Sequence, residues 1–149
     1  LPRMATIQNS YSLLHRAYEY GMSEVSMREN IGLLVYSPLA FGVLSGKYVG
    51  GKLPSDSRVA LFPNYNRYSS AESEKAVIEY QKIADKNGLS LVEMSLAFVN
   101  QLPFVTSNII GATKMSQLKE NINSINIELS QEVIDEINAI HKVMPNPAP

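Results

Sequence analysis

Residues 31–48 read IGLLVYSPLAFGVLSGKY. The run starts apolar and ends in Ser, Pro, Gly and Lys. Leu33-Leu34-Val35-Tyr36 is a continuous apolar segment, the pattern of a strand buried on both faces of a parallel sheet. Gly32 marks the turn into it. The mouth of that strand is made by Ser37, Pro38 and Leu39, then Gly42, Ser45, Gly46 and Lys47.

Working outward, Ala5 to Asn9 is short, partly β-branched and followed by a serine, which reads as another strand. Met22 to Asn30 is polar with spaced apolar residues and reads as a helix. Downstream, 49–70 is rich in Gly, Pro, Ser, Asn and Arg and has no sustained period, so a long loop is expected. Loops of that length are usually functional or disordered. Ala71 to Asn87 places Ala76, Val77, Tyr80, Ile83 and Ala84 on one helical face, with Gly88 as its stop. Ser90-Leu91-Val92-Glu93 is a capping-box pattern opening a helix through Met94, Ala97 and Phe98 that Pro103 ends. Phe104 to Ile110 is the third strand, closing on Gly111-Ala112-Thr113. Ser116 is expected to cap a helix to about Ile125. Leu129-Ser130 precedes a last helix with Val133, Ile134, Ile137 and Ile140 inward, and the tail PNPAP reads as a stop.

Strands alternating with helices imply a parallel sheet with helical cover. Only three strands are visible, and three parallel strands leave two open edges. The pattern is therefore that of part of a larger α/β fold. The chain has 149 residues, begins with Leu1 and not Met, and is expected to be cut, processed or partial. Its net charge of −1 gives no electrostatic case for nucleic acid or an anionic membrane as partner. There is no Cys, which excludes disulfides, thiol catalysis and Cys-ligated metals and fits a reducing compartment. No apolar run reaches the length of a membrane span, and no signal peptide is visible.

In parallel α/β folds ligands sit at the carboxyl ends of strands. All three strand ends turn polar or small there: Gln8-Asn9, then Tyr36 to Lys47, then Gly111-Ala112-Thr113-Lys114 before a helix. A helix start after small residues offers free N–H groups to an anion. Lys47, Arg58 and Lys114 add positive charge. The ring of Tyr36 can stack on a flat heterocycle, and the amide of Gln8 can exchange two hydrogen bonds with a carboxamide. Together these point to a dinucleotide carrying an extra phosphate. Taken singly, each has a plain structural reading: a rim aromatic, a strand-end amide, turn glycines, surface charges, a helix cap. It is their convergence on three strand ends that favours a site. There is no Rossmann or Walker A glycine motif. His15 and His141 lack the spacing of a metal site or a Ser-His-Asp triad, so no metal is expected. His141 is expected to serve the dipole of the last helix. Glu132, Asp135 and Glu136 read as a solvated face.

The segments TIQNSYSLLHR, YSPLAFGVLSGKY, IIGATKMSQLKENI and ELSQEVIDEI resemble the aldo-keto reductases, most closely the Tas-type branch, which also looks like the potassium-channel β subunits. The resemblance covers essentially the whole chain. It implies a (β/α)8 TIM barrel that transfers hydride from NADPH to a carbonyl, an aldehyde or ketone. Residues 1–149 would be the C-terminal part of that single barrel domain, strands six to eight with their helices. By resemblance, Gln8 would hold the nicotinamide carboxamide and Tyr36 would stack on its ring. Ser37, Pro38, Leu39, Gly42, Ser45 and Lys47 would line the pyrophosphate, and Arg58 would clamp phosphate. Gly111 closes the third strand, Thr113 and Gln117 would approach the 2′-phosphate with Lys114 nearby, and Glu120 and Asn121 would contact adenine. Gln117, Glu120 and Asn121 share a helical face. The family's Asp, Tyr, Lys and His tetrad belongs to earlier strands, and none of its motifs is present. No catalytic residue is therefore expected here, and no turnover from this chain alone. The parent is expected to be an NADP-dependent oxidoreductase in the cytoplasm. Alternatives are a non-catalytic NADPH-sensing or interaction subunit and an inactive split-gene remnant. For stability the chain is expected to need the missing N-terminal half or another copy of itself.

Overall fold

The computed structural model describes residues 2–148. Among them three strands form one sheet: β1 (Thr6–Ser10), β2 (Gly32–Tyr36) and β3 (Val105–Asn108), in spatial order β1-β2-β3 and parallel throughout. The helices are α1 (Met22–Arg28), α2 (Arg58–Leu61), α3 (Ala71–Lys86), α4 (Leu91–Asn100), α5 (Met115–Asn123) and α6 (Gln131–Val143). Short 3₁₀ segments occupy Ala17–Tyr20, Ala40–Ser45, Val49–Gly51 and Ser124–Asn126.

The strand register fixes which side chains share a face. Gln8 pairs with Leu34 and Ser10 with Tyr36, so Gln8, Leu34 and Tyr36 lie on one side of the sheet. Leu33 and Val35 point the other way and are fully buried in the core. Between Leu33 and Leu34 the pairing with β3 slips, and Thr106 is the residue left over. Thr106 leans across Gly32: a Cβ built there would lie 2.0 Å from the Thr106 hydroxyl oxygen.

α3 buries Ala76, Val77, Tyr80, Ile83 and Ala84, the face expected from the 3.6-residue period. Ser70 caps its start through the Ser73 N–H, and Gly88, at φ +68, follows its end. The Tyr80 hydroxyl donates to the Leu13 carbonyl at 3.1 Å, and burial pushes its pKa up to about 12. In α4 the capping box is complete: the Glu93 N–H donates to Ser90 Oγ, and the Ser90 N–H to Glu93 Oε2. α6 buries Val133 and Ile137 and half-buries Ile134 and Ile140.

Several sequence expectations need correction. The first strand runs one residue later than Ala5–Asn9, and the first helix stops at Arg28. Ser116 does not cap α5; Lys114 holds that position, and Gln117 Oε1 accepts from the N–H groups of Thr113 and Lys114. The segment 49–70 is not structureless. It contains α2, and Tyr68 within it is buried at 1% exposure. The tail is more than a stop. Asn146 accepts from the Arg16 N–H, the Pro147 carbonyl accepts from the Ser70 and Ser73 hydroxyls, and the buried Ala148 N–H donates to Leu14. The tail thereby ties the segment after β1 to the start of α3. His141 stands in the last turn of α6 as expected, and burial and nearby Arg16 lower its pKa.

Candidate functional site

The exit from β2 is a strained, tightly bonded turn. Ser37, Ala40 and Phe41 all have positive φ (56°, 48° and 57°), and Gly42 and Gly46 follow at 90° and 72°. A non-glycine residue in that region costs on the order of 1–3 kcal/mol and persists only where its surroundings over-determine it. Here they do. Ala40 N–H donates to the Ser37 carbonyl, Gly42 to Leu39, and Gly46 to Val43. Ser45 Oγ donates to the Gly42 carbonyl at 2.7 Å. Pro38 is buried beneath. Because Gly42 has no side chain, the Lys47 ammonium sits directly over it, 3.1 Å from where a Cβ would stand, and 5.2 Å from the Tyr48 ring centre.

The long segment 49–70 arches toward this turn. Ser57 caps α2, and Arg58 is its first residue. The Arg58 guanidinium lies 5.5 Å from the Phe41 ring centre and 6.0 Å from that of Tyr65. Phe41 itself packs edge-on against Tyr65 and Tyr68, at 5.3 and 4.9 Å. Next to Arg58, Asp56 accepts from Lys114 Nζ at 3.2 Å. That hydrogen bond, with the Lys114 charge, holds the Asp56 carboxyl below its usual pKa. Residues 56–58 therefore join the mouth of β2 to the mouth of β3.

The mouth of β3 is organised by α5. Gln117 Oε1 accepts from the Thr113 N–H, the Thr113 hydroxyl and the Lys114 N–H, at 3.1, 3.2 and 3.3 Å. Asn121, buried at 5% exposure, donates to the Gly111 carbonyl. Glu120 accepts from Ser90 Oγ at 2.7 Å, which ties α5 to the start of α4. On β1, Gln8 is exposed one pleat from Tyr36 on the same face. The structure thus brings Tyr36, Lys47, Arg58 and Lys114 to one end of the sheet, with Gln8 on the same face as Tyr36. Leu39 and Ser45 shape the turn, while Glu120 and Asn121 hold α5 in place. Phe41, Asp56 and Tyr65 escaped the sequence reading. Their only signals were an aromatic wedged before a turn glycine and the cluster FPNYNRY.

Lys47 and Arg58 form no ion pair among the described residues, and neither Gln8 nor Tyr36 makes a side-chain hydrogen bond there. Two free cations, a free amide and a half-buried ring around glycines fit a phosphorylated dinucleotide. The surface carries two clefts. One of ≈ 270 Å³ lies behind the loop, lined by Tyr48, Leu53, Val59, Tyr68 and Val77. The other, ≈ 330 Å³, runs along the free edge of β3, lined by Val105, Thr106, Ile110, Ile122 and Ile125. Among the described residues no group of three or more His, Cys, Asp or Glu is placed to hold a metal, and no helix is long and apolar enough to cross a membrane.

A three-stranded parallel sheet with its helices fits part of a (β/α)8 barrel. The fold matches a glycerol dehydrogenase structure from Gluconobacter oxydans with a TM-score of 0.74, covering 95% of this chain and 43% of that one at 24% identity. Residues 2–142 match the aldo/keto reductase family, and the chain belongs to it. It is 51% identical over its whole length to protein tas of Escherichia coli, of which it spans 43%. A probable voltage-gated potassium channel subunit beta of Oryza sativa is 40% identical over 121 residues, 77% of this chain and 37% of that protein. The chain thus spans less than half the length of these curated relatives.

Proposed function

We propose that this chain is the NADPH-binding portion of an oxidoreductase that transfers hydride to an aldehyde or ketone. The observation that carries the reading is the convergence of Tyr36, Lys47, Arg58 and Lys114 at one end of the parallel sheet, beside strained residues at the β2 exit. Bound NADPH would supply the hydride. In this proposal Gln8 holds the carboxamide and Tyr36 covers one face of the nicotinamide. The turn from Ser37 to Lys47, including Pro38, Leu39, Gly42 and Ser45, shapes the pyrophosphate seat. Arg58, Lys114, Thr113 and Gln117 meet phosphate near Gly111, and the Glu120–Asn121 turn of α5 lies on the adenine side. An oxyanion needs a positioned proton donor, and in this proposal that donor comes from outside this chain. A cytoplasmic setting belongs to the same proposal, in line with a sequence that has no cysteine.

Completion of the barrel is also a proposal. The cleft beside β3 has a mixed lining, with Asn100, Asn108 and Ser124 beside Val105 and Ile110, and Ile122 and Ile125 in it are 57% and 67% exposed. An unpaired strand edge beside such a surface favours further βα units, the missing N-terminal half, with another copy of the chain as the alternative occupant. The likeness to a channel subunit beta supports a second reading, in which the same cofactor site serves sensing more than turnover.

The test is nucleotide binding. Arg58→Ala should weaken NADPH far more than NADH, by roughly 1.5–3 kcal/mol for a lost charged hydrogen bond. Tyr36→Ala should weaken both cofactors while Tyr36→Phe changes little. Equal loss of NADPH and NADH in Arg58→Ala overturns the phosphate assignment.

A further inference from the structure

Phe41 stands in the left-handed region at φ 57°, where a glycine would sit without strain and where Gly42 follows immediately. The strain of an aromatic residue in that conformation has to be offset by what its ring touches. The ring meets Tyr65 and Tyr68 edge-on and lies 5.5 Å from the Arg58 guanidinium. All three partners belong to segment 49–70, whereas Phe41 belongs to the β2 exit. Arg58 is exposed and has no carboxylate within ion-pair distance among the described residues, so its position rests on aromatic faces. Tyr65 completes that support, itself edge-on to Phe62 at 5.9 Å. A guanidinium held by rings keeps all five N–H donors for an external anion, which a carboxylate partner would occupy.

We infer that Phe41 is a positioning residue: its ring docks segment 49–70 and presents Arg58, donors free, to the phosphates of a bound dinucleotide. The inference rests on the proposed nucleotide site and extends it to a residue that need not touch the nucleotide. It is distinct from a general stabilising role, which would lower NADPH affinity equally with and without Arg58.

The experiment is a double-mutant cycle in NADPH affinity using Phe41→Leu and Arg58→Ala, with Phe41→Tyr as the conservative variant. Leucine keeps the apolar bulk and the backbone strain but removes the ring face. Phe41→Leu should weaken NADPH about two- to fivefold, the worth of an exposed cation–π contact, and should have no further effect once Arg58 is alanine. Phe41→Tyr should restore affinity. Protease cleavage within 49–70, measured without nucleotide, should be faster in Phe41→Leu and unchanged in Arg58→Ala. Equal losses from Phe41→Leu with and without Arg58 overturn the positioning role, as does an unchanged cleavage rate. If the parent protein binds neither NADPH nor NADH, the nucleotide reading falls. The docking of 49–70 by Phe41 is then upheld or overturned by the cleavage rates alone.

Discussion

Lys114 Nζ lies 3.2 Å from Asp56 Oδ2, so a residue of the loop after β2 meets one at the start of α5 across 58 positions of sequence. Both side chains are well exposed, and such pairs contribute little to stability. Its consequence lies in charge. Asp56 occupies a cation that the nucleotide reading assigns to phosphate. Asp56→Asn is therefore expected to leave the thermal midpoint unchanged and to raise affinity for NADPH relative to NADH, more so at low salt. A lower NADPH preference in that variant would show that Lys114 does not face the phosphate.

Gly32 carries a sharper expectation. A Cβ at Gly32 would lie 2.0 Å from Thr106 Oγ1 and 2.9 Å from Thr106 Cβ. Neither the side chain of Thr106 nor the slipped pairing at Leu33 and Leu34 can absorb that easily. Gly32→Ala should cost about 1–3 kcal/mol, the usual range for overpacking. Thr106→Ala removes the hydroxyl and leaves the Cβ contact, so the double variant should recover part of the loss. Urea unfolding of the four proteins decides it; an unchanged midpoint for Gly32→Ala would mean that β3 moves freely past β2.

Two half-buried histidines are expected to set a pH dependence. His15 Nδ1 and His141 Nδ1 are buried without a hydrogen-bond partner. Burial lowers both pKa values, assisted by Arg67 for His15 and by Arg16 for His141, with Glu19 opposing the latter. In the unfolded chain both return to about 6.5. Below that value the unfolded state binds more protons than the folded one, so stability falls as pH falls from about 6.5 toward the folded pKa values. Urea midpoints measured from neutral to mildly acidic pH should decline in the native protein and decline less in His15→Gln/His141→Gln. Equal slopes in both would place the acid sensitivity elsewhere.

What was legible in the sequence was local. The Ser90–Glu93 box and the buried face of α3 depend on residues three or four apart, and both are found as read. The strands showed as apolar or β-branched runs, and the mouth residues as the change in polarity after them. The features that escaped depend on distant partners. Asn146 folding onto Arg16 spans 130 positions, and Ser70 reaching Pro147 spans 77. The left-handed residues Ala40 and Phe41 carry no sequence signal, since neither is a residue type that favours that conformation. Tyr68 is buried against Phe41, a partner 27 positions away in sequence.

Arg16 shows how much such a distant arrangement can hold. It is 7% exposed and received no role from its sequence context. Its Nε and Nη2 donate to the two oxygens of Glu19 at 2.8 and 3.0 Å, and its Nη1 donates to Asn138 Oδ1 at 2.9 Å. The guanidinium lies 5.0 Å from the Phe98 ring centre, and Glu19 also accepts from the Tyr11 hydroxyl. One side chain thus joins the segment after β1 to α4 and α6. Removing one member of a buried ion pair leaves the other uncompensated, at about 3–5 kcal/mol. Glu19 is 26% exposed and can recover part of its hydration, so Arg16→Met should fall toward the lower end of that range. Adding Glu19→Gln removes the stranded charge, and the double variant should lose less than the sum of the two single losses. Arg16→Lys should not substitute, because a single ammonium cannot make the paired bonds to Glu19 and also reach Asn138. Denaturant unfolding of these variants provides the check. Strict additivity of Arg16→Met and Glu19→Gln would mean that the two side chains are neighbours without being coupled.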